Sequence, residues 1–130
     1  MTTRGTTLPE IMVTVISIGV LASLAVGVAV RMKERSYDAD AKQNLILIQR
    51  AERIFRTENG TYYPNAGSQN NIANINQNLG LHLPNPATAI WNYQVKSSGV
   101  VCATRNGDNN RNWFLTIANE YGSPVSGACP

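Results

Sequence analysis

The feature that most constrains the fold is an uncharged apolar run over residues 11–30, with a single carboxylate, Glu10, at its edge. At about 1.5 Å per helical residue the run spans roughly 30 Å, which is the hydrocarbon thickness of a bilayer. A core helix is seldom apolar all round, and a cleavable secretory signal usually has an apolar region of only about 7–15 residues. We therefore expect a permanent membrane-spanning helix.

The residues after the run predict that the helix continues, for about fifty residues in all. Apolar side chains recur at three- and four-residue steps, at Tyr37, Ala41, Leu45, Ile48, Ala51 and Phe55. Polar residues fall largely outside this stripe, at Lys42, Gln43, Arg50, Glu52, Arg53 and Arg56. The dipeptide Asn59-Gly60 supplies the left-handed stop expected at a helix C-terminus. The helix is thus half transmembrane and half amphipathic.

Three strand-like runs follow, at residues 89–96, 100–104 and 113–118, separated by turn compositions at 97–99 and 106–110. Two short connections predict an antiparallel three-stranded meander, with one face packed on the amphipathic half of the helix. Between helix and sheet, apolar residues indicate a short helical turn: Ile72, Ile75, Leu79 and Leu81. The predicted fold class is α+β, a long N-terminal helix packed on a three-stranded antiparallel sheet.

The two cysteines, Cys102 and Cys129, both lie in the C-terminal third of the chain. An even cysteine count in a membrane-anchored chain favours a disulfide in an oxidising compartment, which would tie the C-terminal segment to the second strand. Two free buried thiols are the alternative. The chain carries 11 Lys and Arg against 8 Asp and Glu. This mixed pattern favours a solvated helix face over nucleic-acid binding.

No residue constellation in the sequence supports catalysis, so we expect neither an enzyme nor a cofactor. The only histidine, His82, has no Cys or His at ligand spacing, and no Ser/His/Asp or paired-carboxylate arrangement stands out. The oxygen-bearing residues Asn106, Asp108 and Asn110 alternate as calcium ligands do. They lack a closing bidentate Glu, which favours a plain hairpin turn. We therefore predict no metal site.

Gly5, followed by Thr-Thr-Leu-Pro-Glu over residues 6–10 and the apolar helix, resembles the class III signal of type IV pilins and type II secretion pseudopilins. The Asn-Gly-Thr-Tyr-Tyr-Pro segment at 59–64 also looks like the end of the helix in small pilins and pseudopilins. Two positions depart from the family pattern, since Thr6 replaces an aromatic residue and Pro9 an aliphatic one.

The resemblance implies that a prepilin peptidase cuts between Gly5 and Thr6 on the cytoplasmic side and methylates the Thr6 amine. It divides the chain into a leader (1–5), a transmembrane and filament-core half of the helix (6–30) and a globular pilin-like domain (31–130). It also places that domain outside the inner membrane. Basic residues at Arg31, Lys33 and Arg35 would by the positive-inside rule indicate the opposite orientation.

Glu10 has two compatible interpretations. It stands three residues after Thr7, at the spacing of a capping box. A carboxylate at membrane depth also costs roughly 2.5–3.5 kcal/mol and is usually functional. The resemblance implies a partner, the cationic Thr6 amine of a neighbouring subunit, so that the charge pair sets the register of assembly.

The function implied is that of a structural subunit of a type IV pilus, which passes from the inner membrane through an assembly platform into a homopolymeric extracellular filament. Nucleic acid is not required for this role. The alternatives are a periplasmic type II secretion pseudopilin and a non-polymerising, single-pass binding domain.

Overall fold

The computed structural model describes residues 7–85, 87–119 and 122–130, with the backbone alone described at 108–110. Two helices are present in these ranges, α1 (Leu8–Asn59) and α2 (Ile72–Leu79). The strands are β1 (Ser68–Gln69), β2 (Trp91–Lys96), β3 (Val100–Arg105), β4 (Asp108–Thr116) and β5 (Val125–Ser126). The contacts of the chain divide it into two compact units, Met1–Ser36 and Tyr37–Pro130.

Helix α1 confirms the prediction of one long helix, with 52 residues. At its start the Thr7 carbonyl accepts hydrogen bonds from the amides of Glu10 and Ile11, at 3.0 and 3.2 Å. At its end the amide of Gly60, whose φ is 79°, donates to the Arg56 carbonyl at 2.8 Å. Only glycine adopts this left-handed backbone without strain, so the stop is encoded locally.

The sheet has five strands in the order β1-β2-β3-β4-β5, and every pairing is antiparallel. The antiparallel meander is confirmed by β2, β3 and β4, but the predicted count of three strands is wrong. The additional strands, β1 and β5, contain two residues each and pair with β2 and β4 at the two edges. Two residues are too few for the alternation by which a strand is recognised in a sequence.

The turn between β3 and β4 is also shorter than the predicted loop at 106–110. Arg105 pairs with Asp108, so only Asn106 and Gly107 form the turn. The φ of Gly107 is 81°, a left-handed backbone that glycine adopts without strain. Asn106 donates to the Ala89 carbonyl at 2.7 Å, and the side chains of Asp108 and Asn110 lie outside the described residues.

The core of the second unit is formed where the amphipathic part of α1 meets one face of the sheet. Ala41, Leu45 and Ile48 are fully buried against residues of α2 and the strands. The buried sheet side chains include Trp91, Tyr93, Val95, Val101, Ala103, Leu115 and Ile117. The aromatic residues Trp91 and Tyr93 therefore pack in the core.

Two polar residues of α1 are buried with this core, at Gln49 and Glu52. The prediction that Glu52 lies outside the apolar stripe is wrong, because its side chain is fully buried. Gln49 is accommodated because its amide donates to the Asn119 carbonyl at 2.9 Å. Buried polar groups of this kind need such partners, since an unpaired one costs roughly 1–3 kcal/mol.

Helix α2 confirms the predicted helical turn. Its side chains Ile72 and Ile75 are buried. The Asn71 carboxamide caps the N-terminus by accepting from the amides of Ala73 and Asn74, and Gly80 ends the helix with a φ of 64°.

Cys102 and Cys129 form a disulfide, with their Cα atoms 5.7 Å apart. The predicted pairing is therefore confirmed. Cys102 lies on β3 and is buried, so the bridge attaches the C-terminal segment directly to the centre of the sheet.

Replacing both Cys102 and Cys129 by Ala is expected to lower the free energy of unfolding by about 3–4 kcal/mol, because the unfolded chain gains the entropy of an open loop. Urea unfolding of the full chain in detergent, followed by fluorescence of Trp91 and Trp113, measures this loss. Chemical reduction of the unmodified chain should produce a similar loss. A change below about 1 kcal/mol would contradict the expectation.

Candidate functional site

The N-terminal unit exposes a continuous apolar surface along α1. Every large apolar side chain from Leu8 to Met32 is more than half exposed, from 51% at Ile11 to 74% at Leu8. An 18-residue window of α1 has a mean hydropathy of 2.5, which makes the helix long and apolar enough to cross a membrane. Water is a poor solvent for such a surface, so it requires a lipid or protein environment.

The hydroxyl groups within the apolar segment are satisfied by the helix itself. Thr14 donates to the Ile11 carbonyl, Ser17 to Val13 and Ser23 to Val20, each at 2.8 Å. Hydroxyls that bond back to their own helix need no partner in hydrocarbon. The segment can therefore be transferred into an apolar environment without leaving a hydroxyl donor unpaired.

Glu10 occupies the first turn of α1 and is exposed. A carboxylate in this position interacts favourably with the positive end of the helix dipole. The other residues predicted for processing and assembly, Gly5 and Thr6, lie outside the described residues. Thr7 stands at the N-cap of α1, since its carbonyl accepts the first hydrogen bonds of the helix.

A second apolar surface lies on the unit Tyr37–Pro130, which we call the folded unit. It is found where α1 borders the C-terminal end of α2. Leu47 and Ile54 of α1 are 44% and 62% exposed. Together with Phe55, Leu79 and Leu81 they line an open groove of about 500 Å³. This groove was not predicted, because it forms only where α1 and α2 meet.

The most unusual polar group in the folded unit is the carboxyl of Glu52. Its Oε2 accepts a hydrogen bond from the Tyr63 amide at 2.9 Å. Its Oε1 is buried and has no hydrogen-bond partner among the described residues. Burial raises the pKa of Glu52 from 4.5 to about 7, and the Tyr63 hydrogen bond opposes that rise. The carboxyl is therefore substantially protonated in the folded protein near neutral pH.

Through its hydrogen bond from the Tyr63 amide, the Glu52 carboxyl fixes the segment that follows α1. Tyr63 packs edge-on against Phe55, with ring centroids 5.7 Å apart, and its hydroxyl accepts from Asn78 of α2 at 3.2 Å. The preceding residue, Tyr62, accepts from Arg56 at 2.7 Å. The Tyr62 ring lies so close to Gly99 that an added Cβ there would stand 2.9 Å from it. The two tyrosines thus connect α1 to α2 and to the β2–β3 turn.

A charged cluster attaches β4 to α1 within the folded unit. Asp38 accepts from Arg111 at 2.7 Å and from the Trp113 indole at 3.4 Å. The Lys42 ammonium stands 4.0 Å from the centroid of the Trp113 ring. These contacts give Asp38 and Lys42 a structural role, because they join α1 to β4.

Comparison of the sequence with protein-family models gives no match, and comparison with curated proteins gives none either.

Replacing Glu52 by Gln is expected to change how stability depends on pH. The folded state holds the Glu52 proton up to about pH 7, whereas the unfolded chain releases it near 4.5. The stabilisation is therefore complete below pH 4.5 and is lost as pH rises to about 7, a loss of about 3 kcal/mol. Gln, which cannot ionise, should remove this slope, as urea unfolding between pH 4.5 and 8 would show.

The unmodified chain and the Glu52→Gln variant should have similar free energies of unfolding at pH 4.5. At pH 8 the Glu52→Gln variant should have the higher free energy of unfolding. Glu58→Gln is the matched control, since Glu58 is exposed on the same helix. Parallel stability curves for the unmodified chain and the Glu52 variant would contradict the assignment.

Proposed function

We propose that this chain is a structural subunit of a type IV pilus, held in the inner membrane before assembly and then incorporated into a helical, extracellular filament. The observation that carries the proposal is the exposed apolar helical surface from Leu8 to Met32, in a chain that also contains a disulfide-closed α+β domain. A membrane and a bundle of identical helices can both cover such a surface, because both are apolar.

The self-satisfied hydroxyls of Thr14, Ser17 and Ser23 support the transfer from one environment to the other. Since these hydroxyls already bond to carbonyls of their own helix, exchange of lipid for neighbouring helices leaves none of them without a hydrogen-bond partner. The disulfide between Cys102 and Cys129 supports an oxidising location for the domain. Both features are compatible with the resemblance of residues 5–10 to the prepilin signal.

In this proposal Glu10 sets the register of assembly. Removal of residues 1–5 by a prepilin peptidase gives Thr6 a cationic amine, which pairs with Glu10 of the neighbouring subunit. In an apolar filament core a one-turn slip would leave both charges unpaired at a cost of several kcal/mol, so only one register is stable. A type II secretion pseudopilin would use the same chemistry in a periplasmic filament.

Glu10→Ala is expected to leave membrane insertion unchanged and to reduce the yield of sheared filaments at least about tenfold, because the register contact is lost. Immunoblots of the membrane and sheared fractions measure both quantities. Asp40→Ala, which removes an exposed carboxylate from a later part of α1, should leave the filament yield unchanged. Normal filament yield from the Glu10 variant would refute the register role.

We further propose that the groove around Leu47 and Ile54 is covered by a second copy of the chain in the filament. The chain itself supplies the apolar partner, since its helical segment from Leu8 to Met32 is exposed. Burial of a single Leu or Ile contributes roughly 1.5–3 kcal/mol, which is enough to affect each subunit contact.

Ile54→Asp is therefore expected to reduce filament yield by about tenfold or more without destabilising the folded unit, because Ile54 is 62% exposed in the isolated chain. Gln43→Asp, at an exposed polar position of the same helix, is the matched control. Urea unfolding verifies the fold of each variant. Undiminished assembly of the Ile54 variant would show that the groove is not a subunit contact.

A further inference from the structure

Two arginines near the C-terminal end of α1, Arg53 and Arg56, line an open cleft of about 340 Å³ in the folded unit. Arg53 is half-buried and Arg56 is exposed, so both side chains are accessible to a ligand in solution. The described residues of the lining include no carboxylate, so the cleft has two positive charges and no negative one. The rest of the lining is formed by Thr57, Tyr62, Ile117 and Ala118.

The guanidinium group of Arg53 is held against the end of β4. Its Nε and Nη2 atoms donate to the Ile117 carbonyl, at 3.3 and 3.1 Å. The Nη1 group makes no hydrogen bond among the described residues, which leaves donors for a ligand. Because two bonds from adjacent nitrogens fix the plane of the group, its remaining donors have a defined direction.

The guanidinium group of Arg56 is held by Tyr62. Its Nη1 donates to the Tyr62 hydroxyl at 2.7 Å, and its Cζ atom lies 4.7 Å from the centroid of the Tyr62 ring. The ring itself lies against Gly99. The Nε and Nη2 donors of Arg56 have no partner among the described residues. Both arginines are therefore positioned before a ligand arrives, which lowers the entropy cost of binding.

The carboxyl groups nearest in sequence do not neutralise the cleft. Glu52 is fully buried, and its Oε2 accepts from the Tyr63 amide. Glu58 lines the separate apolar groove, together with Arg50. Neither guanidinium group of the cleft forms an ion pair within the part of the chain that the structure describes.

The end of the helix does not neutralise the cleft either. The C-terminus of a helix carries only about half an elementary negative charge. Two of the carbonyls there already have donors, since Arg53 accepts from the Thr57 hydroxyl at 2.9 Å and Arg56 from the Gly60 amide at 2.8 Å. Two guanidinium charges exceed this partial charge, so the cleft remains positive.

We propose that this cleft binds a tetrahedral oxyanion, a phosphate or sulfate group, between Arg53 and Arg56. The planar fork of a guanidinium group matches the oxygen atoms of such a group and binds them with charge-assisted hydrogen bonds. Two positive charges match a dianion better than the single charge of a carboxylate. A free ion and the terminal group of an ester present the same oxygens. The site lies within the unit Tyr37–Pro130, so it goes beyond the proposed structural role and does not depend on assembly.

Titration of the full chain in maltoside detergent at constant ionic strength tests the proposal, with the NMR signals of the Arg56 Nε–H group and the Ala118 amide as the measurement. Inorganic sulfate and phosphate represent the free ion, glycerol phosphate represents an ester, and acetate is the probe with a single charge. We expect sulfate or phosphate to saturate both signals with a Kd of about 1–10 mM, and acetate to bind at least about fivefold more weakly.

A similar Kd for glycerol phosphate would support an ester as the natural source of the oxyanion, and binding of the inorganic ions alone would support the free ion. Absence of saturation up to about 100 mM, or equal binding of acetate, would overturn the proposal.

Variants locate the binding. Arg56→Gln and Arg53→Gln should each weaken the sulfate Kd at least about tenfold, and Arg56→Lys, which keeps the charge without the fork, about threefold. Arg50→Gln is the matched control, since Arg50 is exposed on the same helix and lies outside the cleft lining. Its sulfate Kd should change less than about twofold.

Urea unfolding verifies the fold of each variant. Unchanged binding by Arg56→Gln would overturn the proposal, and so would an equal loss in Arg50→Gln, which would indicate attraction to the general charge of the helix.

Discussion

The burial of apolar surface on α1 is the interaction on which the rest of the structure depends. One part of the helix has a partner within the chain, because Ala41, Leu45 and Ile48 pack against the sheet. The other part, from Leu8 to Met32, exposes every large apolar side chain. The same helix therefore stabilises the folded unit intramolecularly and requires an external apolar environment. The proposed role, that of a membrane subunit which later joins a filament, meets both requirements.

The polar contacts around the core determine how the rest of the folded unit is arranged on α1. The buried Glu52 carboxyl holds the Tyr63 amide, and the Tyr63 ring connects Phe55 to Asn78 of α2. Nearer the start of the folded unit, the Asp38 carboxylate on α1 forms a salt bridge with Arg111 of β4. These contacts give the connection between α1 and the sheet a defined path. The segment 68–85 is thereby positioned beside β2, which both β1 and α2 contact.

Local patterns predicted much of this fold. Helix α1 was predicted from its apolar periodicity and its Asn59-Gly60 stop, and the three longer strands from runs bounded by turn residues. The disulfide was predicted from the even cysteine count in a membrane-anchored chain, with two free thiols as the alternative, and the structure contains the disulfide. The two-residue strands β1 and β5 were missed, since their pairing is set by β2 and β4 rather than by their own composition.

The burial of Glu52 illustrates why other features could not be predicted with the same success. Glu52 stands four residues after Ile48 and three before Phe55, which places it on the apolar face, but its charge argued against burial. The deciding contact is a backbone amide eleven residues away, at Tyr63, and no local pattern encodes it.

The central claim, that the chain is processed and polymerises, is tested most directly by the N-terminus of the protein in its assembled form. Filaments sheared from cells that produce the chain should be visible by electron microscopy. Mass spectrometry of their subunit should show a chain that begins with N-methylated Thr6. The Gly5→Leu variant should retain its leader and form no filaments. Recovery of the protein only from membranes, with Met1 intact, would contradict the claim and support a simple membrane anchor.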